Sequence, residues 1–138
     1  MATDTMTNLI INAMAQYLAG KGVATPNLAL GLFVNNWPFS ATTILADLTE
    51  CSAPGYARAS LAAASWSGST VGGVATYTYP NVTFTFTGSG GGQIIYGNFY
   101  YDSGNGDVVW GQTWGSPYTI PAGGGAVILT PQIQTKQC

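Results

Sequence analysis

The chain has 138 residues, of which 46% are hydrophobic and only 6% charged, with three basic and five acidic side chains and no histidine. That length predicts one domain with a real core, and the hydrophobic content excludes a disordered chain despite 19 glycines. The missing histidines and sparse carboxylates leave little for proton transfer or metal capture, so no enzyme, cofactor or metal is expected.

The charge balance narrows the partners as well. A net charge of −2 with three basic residues does not supply the cationic face that nucleic acid requires. No run of 18 apolar residues predicts a membrane-spanning helix, and no basic region followed by an apolar stretch marks a secretory leader. A soluble domain normally carries about 25% charged residues. A surface made instead of Ser, Thr, Asn, Gln and Gly repels its neighbours weakly and favours association.

Taken in chain order, the first predicted element is an amphipathic helix over residues 6–18. Met6, Leu9, Ile10, Ala13, Met14, Tyr17 and Leu18 form one continuous stripe. Asp4 or Thr5 serves as N-cap, and Gly20 and Gly22 flank Lys21 at the stop. After Pro26 the chain reads as β. A short apolar strand covers Leu28–Val34 and ends at Asn35-Asn36 and Pro38. Thr42–Cys51 holds an acidic cluster and is broken by Pro54-Gly55, and Tyr56–Leu61 alternates.

The cleanest alternation spans Tyr77–Thr87, where Val82, Phe84 and Phe86 interleave with Thr83, Thr85 and Thr87. Ile94–Tyr101 and Val108–Trp114 form a hairpin about the turn Asp102–Asp107, followed by short strands at Tyr118–Ile120 and Ala126–Thr130. About eight short strands without intervening helices predict a mainly β fold, an antiparallel β-sandwich of jelly-roll type carrying one N-terminal amphipathic helix. Its parts are a helical arm over 1–22, a sandwich over 26–131 and a tail over 132–138, together one domain over 1–138.

Four clusters of residues invite a chemical reading. Asp102, Asn105 and Asp107 resemble a cation loop but lack its closing bidentate carboxylate, so a hairpin turn is expected. Asp47 and Glu50 suggest an acid/base pair, but an ion pair with Arg58 fits better, since arginine suits bidentate pairing at interfaces. Cys51 and Cys138 read as free thiols, with a disulfide as the alternative. Four Trp, eight Tyr and five Phe are expected mostly in the core and at interfaces. A sugar platform using Trp37, Trp66 or Trp114 is the alternative. The interface set is Met6, Leu9, Ile10, Met14, Tyr17, Trp37 and Arg58.

The same residues, in order, carry a likeness. An N-terminal helix precedes Leu-Gly-Leu-Phe-Val-Asn at 30–35, the acidic Asp47–Glu50 stretch, and Gly55-Tyr56-Ala57-Arg58 with Leu61 and Trp66 downstream. Thr-Phe-Thr-Phe-Thr at 83–87, Ile95-Tyr96-Gly97, Tyr101-Asp102 and Val109-Trp110 follow, then Ile120-Pro121-Ala122-Gly123-Gly124 and Leu129-Thr130-Pro131. Over nearly its full length the chain resembles small bacteriophage virion structural proteins.

The resemblance implies a capsid decoration (cement) protein that stabilises the major capsid protein lattice, with a tail or fibre component as the alternative. It carries over no catalytic residues. It implies contacts with the major capsid protein and with itself, as a trimer or dimer, and a place on the capsid surface of a virion after synthesis in the host cytoplasm.

Overall fold

The computed structural model describes residues 5–8, 19 and 27–136. Among the described residues ten strands follow in chain order: β1 (Thr5–Met6), β2 (Leu28–Phe33), β3 (Ala59–Ser60), β4 (Ser67–Val71), β5 (Val74–Thr78), β6 (Val82–Phe86), β7 (Ile94–Asp102), β8 (Asp107–Thr119), β9 (Gly125–Leu129) and β10 (Gln132–Lys136). The fold is mainly β, and every strand pairing is antiparallel. The strands lie in sheets of five (β1-β8-β7-β2-β3), three (β10-β5-β4) and two (β6-β9).

The large sheet is organised by cross-strand rows, because residues opposite one another on antiparallel strands share a face. One row runs Met6, Trp110, Tyr100, Leu30, Ala59, and the next on that face holds Gln112, Asn98 and Leu32. Leu30, Leu32, Tyr100 and Trp110 join Phe84, Phe86 and Val127 from the two-stranded sheet in the larger core cluster, against which Ile133 of β10 also packs. The opposite face carries Phe33 and Phe99 in a second cluster, covered by Trp37, Phe39 and Leu45 from the segment after β2.

Several expectations are corrected here. The predicted N-terminal helix is not seen among the described residues. Met6 lies in β1, where its backbone pairs with Trp110, because extended backbone there continues the edge of the large sheet. Leu9, Ile10, Met14 and Tyr17, like Lys21 and Cys138, fall outside the described residues. Residues 42–51 do not form a strand. They contain a 3-10 turn at Leu45–Asp47, capped by the Asp47 carboxylate, which accepts from Ile44 N at 3.0 Å, and only Glu50 makes a bridge, to Phe33.

The strand expected at Tyr56–Leu61 shortens to Ala59–Ser60, and the stretch over 77–87 splits at Pro80, which lacks the N–H a ladder needs. Residues 132–136, expected in a tail, form β10 against β5. The β4–β5 turn is Gly72-Gly73, with φ of 58° and 79°. This is the two-residue hairpin geometry in which both central residues take positive φ.

Candidate functional site

A cleft of about 810 Å³ is walled by the large sheet, β9 and β10. Its floor follows from alternation on β8: Trp110, Gln112 and Trp114 are spaced by two and therefore share a face, with Tyr100 and Asn98 beside them on β7. The lip follows from a mismatch between these strands. Gly97 pairs with Thr113 and Ile95 with Tyr118, so Tyr96 alone faces the four residues Trp114–Pro117. Such an irregularity bends a strand and re-aims its side chains. Here it brings Trp114, Gly115 and Ser116 to the cleft.

The walls are held by specific contacts. Tyr100 and Trp110 stack with ring centroids 4.3 Å apart and planes 25° apart. Trp114 Nε1 donates to Asn98 Oδ1 at 2.8 Å, which fixes its indole on a side chain that is itself buried. Trp110 is only 4% exposed, and its Nε1–H has no acceptor among the described residues. Ile128, an exposed apolar residue of β9, lines the cleft opposite, as do Gln132 and Gln134 of β10. Among the described residues the lining carries no charged side chain. The Tyr100 and Trp110 rings are themselves buried, and the Gln132 and Gln134 amides donate to Thr78 and Thr76 of β5.

A second constellation lies at the other face of the large sheet. Glu50 accepts from Arg58 Nε at 2.7 Å and from Arg58 Nη2 at 2.9 Å, a bidentate pair, and from the Tyr56 hydroxyl at 2.8 Å. The Tyr56 hydroxyl in turn accepts from Leu32 N at 3.0 Å. The guanidinium carbon sits 4.2 Å from the Tyr101 ring centroid and 5.8 Å from that of Phe99, a cation–π arrangement. The hydrogen bonds it donates to Glu50 raise the Arg58 pKa further above its ordinary value. Burial first, and then Glu50, push the Tyr56 hydroxyl well above the phenolic range. The Glu50 carboxylate, the Tyr56 hydroxyl and Nε and Nη2 of Arg58 are engaged with one another or with β2, which makes the cluster a clamp between the 50–58 segment and β2.

The remaining sequence candidates are dispersed. Met6 packs on the larger core cluster and lines the cleft. Trp37 packs on the smaller cluster and donates from Nε1 to Thr43 Oγ1 at 3.2 Å, so the two do not share a surface. Trp66 makes an edge contact with Tyr79, centroids 5.2 Å apart, and of the three Trp residues proposed for sugar only Trp114 reaches the cleft.

Asp102 closes a turn: its Oδ1 accepts from Asn27 N at 3.2 Å and Gly104 N at 3.0 Å, and its Oδ2 from Asn105 Nδ2 at 3.0 Å. Among the described residues no group of three or more Cys, Asp or Glu could hold a metal ion. Cys51 is a buried free thiol that donates to Gln93 Oε1 at 3.5 Å, and burial pushes its pKa up. Sequence reasoning missed Tyr100, Trp110, Gln112 and Tyr56. The period-two run Trp110, Gln112, Trp114 was the available signal for three wall positions.

No protein-family model matches the chain, and no match is found among curated proteins.

Proposed function

We propose that the chain is a non-enzymatic structural protein of a bacteriophage virion, a decoration protein that stabilises the major capsid protein lattice and contacts copies of itself. The observation that carries this reading is β4. All five residues, Ser67–Val71, are exposed, and β4 is the edge of its sheet, paired on one side with β5 through five consecutive residues. Soluble monomers blunt such edges with Lys, Pro, bulges or a covering element. β4 has neither charge nor proline, and its register is unbroken.

The rest of the exterior is of the same kind. Val71 is 74% exposed, Ile128 62%, Ile44 59% and Tyr77 47%, on a chain with 6% charged residues. Such a surface suits permanent contact with partners better than free diffusion. The likeness to virion proteins supplies the setting. In this reading the two smaller sheets form the second layer of a sandwich, supported by Phe84, Phe86 and Val127 sharing one core cluster with Leu30 and Leu32.

The test is copy number per particle, by quantitative mass spectrometry of virions purified from the same source. Hundreds of copies are expected. About a dozen or fewer would mean a tail or fibre component, and absence from the particle would overturn the reading.

A further inference from the structure

The turn of the β4–β5 hairpin fixes which backbone groups of β4 are free. With φ of 58° and 79° at Gly72 and Gly73, the two-residue turn closes on Val71–Val74 as a hydrogen-bonded pair. Such pairs alternate along an antiparallel ladder. Ser69–Thr76 and Ser67–Thr78 are therefore hydrogen-bonded too, whereas Gly68–Tyr77 and Thr70–Ala75 are not. The N–H and C=O groups of Ser67, Ser69 and Val71 face β5. Those of Gly68 and Thr70 point out of the sheet edge, where among the described residues no strand pairs with them.

These outward groups are spaced for a second copy of the same strand. Two β4 strands related by a two-fold axis at Ser69 run antiparallel and oppose Gly68 of each copy with Thr70 of the other. Each such pair exchanges both N–H···O bonds, so every outward group of one strand is matched by the other. Charge permits the match, because β4 carries none to repel its copy. The side chains agree with it. On one face Gln134, Thr76 and Ser69 form a polar row, which Ser69 of the second copy continues. On the other face Tyr77 lies over Gly68, where a Cβ would sit 2.7 Å from Tyr77 Cγ. Bare Gly68 leaves the Tyr77 ring, 47% exposed, open toward Thr70 of the second copy, an aromatic–β-branched cross-strand contact.

We infer that β4 is a homodimer seam, in which two copies pair their β4 strands antiparallel about a two-fold axis at Ser69 and make one continuous sheet ordered β10-β5-β4-β4-β5-β10. The inference rests on the reading that the chain contacts copies of itself, and it supplies the strand, symmetry and register of that contact. Strands of five residues bury less than a standard interface. The dimer is therefore weak in free solution and strengthened where a shared surface raises the local concentration.

The experiment is oxidative cross-linking of the purified full-length protein in a Cys138→Ser background, with one cysteine introduced in β4 and the buried Cys51 giving the background rate. Residues opposed at a non-hydrogen-bonded position have Cα atoms about 4.5 Å apart, within the roughly 4.4–6.8 Å that a disulfide spans. Ser69→Cys should therefore form a covalent dimer about tenfold faster than Ser67→Cys or Val71→Cys alone. A mixture of the last two should cross-link, since they oppose each other across the axis. Thr70→Pro removes an outward N–H that β5 does not use. It should leave the melting temperature unchanged and cut the dimer seen by sedimentation at millimolar concentration about tenfold. Equal cross-linking rates at positions 67, 69 and 71, or a dimer untouched by Thr70→Pro, would overturn the inference. So would a Ser69→Cys rate no higher than the Cys51 background. The test needs no particle, so a failure here is distinct from a failure of the virion reading, which copy number decides.

Discussion

A Cβ placed on Gly31 would lie 2.7 Å from Cε1 of Phe99 and also collide with its Cζ, so the Phe99 ring occupies the space that any other residue at position 31 would need. The two are register partners on β2 and β7. The same face repeats the device: a Cβ on Gly97 would lie 2.5 Å from Phe33 Cζ, and one on Gly111 2.6 Å from Phe39 Cε2. Bare glycine positions let aromatic rings lie flat on the sheet, which is how Phe33 and Phe99 become fully buried.

Gly31→Ala should therefore destabilise the protein by about 1–3 kcal/mol through overpacking, read as a lower urea midpoint. Phe99→Leu alone also costs stability, because it leaves a gap over Gly31. Combined with Gly31→Ala, it should restore part of the loss. Strict additivity of the two changes would show that the ring and the glycine are not coupled.

Glu50 and Arg58 are not equivalent halves of their pair. Their side chains are 29% and 32% exposed, so the Coulombic part is worth about 0.2–1 kcal/mol. Glu50 also satisfies the Tyr56 hydroxyl, and an unpaired buried hydroxyl costs about 1–3 kcal/mol. Glu50→Ala should lower stability by about 2 kcal/mol and Arg58→Ala by about 1 kcal/mol. Arg58→Lys should fall near Arg58→Ala, since lysine loses both the fork and the ring stacking. Thermal melts that rank Arg58→Ala as the costlier change would contradict this.

Alkaline pH should unfold the protein through two buried groups. Tyr56 and Cys51 both have raised pKa values in the fold, from ordinary values of 10.0 and 9.0. A group whose folded pKa is raised contributes stability that is complete below its unfolded pKa and lost as pH rises toward the folded value. Stability should thus hold at neutral pH and decline above pH 9.0 as Cys51 ionises in the unfolded chain, then more steeply above pH 10.0 with Tyr56. Cys51→Ala should flatten the first part of the decline and Tyr56→Phe the second, in denaturation curves collected at rising pH. An unaltered profile in both variants would rule out these groups as the cause.

The edge strand makes its own prediction. Ser69 sits in the middle of β4, exposed on an unblocked edge, so Ser69→Lys should change the folding stability by no more than about 0.5 kcal/mol. The same change should abolish self-association in sedimentation experiments, because lysine at an edge blocks strand addition. Undiminished association would move the contact away from β4.

Much of the β content was legible because local pattern and tertiary environment agree. At residues 82–87 the alternation places Phe84 and Phe86 inward and Thr83 and Thr85 outward, as observed. The hairpin about Asp102–Asp107 also matches, since its turn chemistry is local. Residues 42–51 and Tyr56–Leu61 were misread for a common reason. Leu48, Cys51 and Tyr56 are packed against the core clusters without belonging to a strand, and periodicity cannot distinguish such packing from strand pairing. Gln132–Lys136 lacks a strong apolar pattern, and its strand exists because β5 offers an unpaired edge.

What the sequence determined by itself is the class of the molecule: a weakly charged, mainly β protein without histidine. Composition sets those properties, and they do not depend on which strands meet. Only the tertiary structure decided that Trp110, Gln112 and Trp114 of β8 share a cleft with Gln132 and Gln134 of β10, and that Glu50 is clamped by Arg58 and Tyr56. Those neighbours are brought together by long-range strand order and by the irregularity at Trp114–Pro117, which no local pattern encodes.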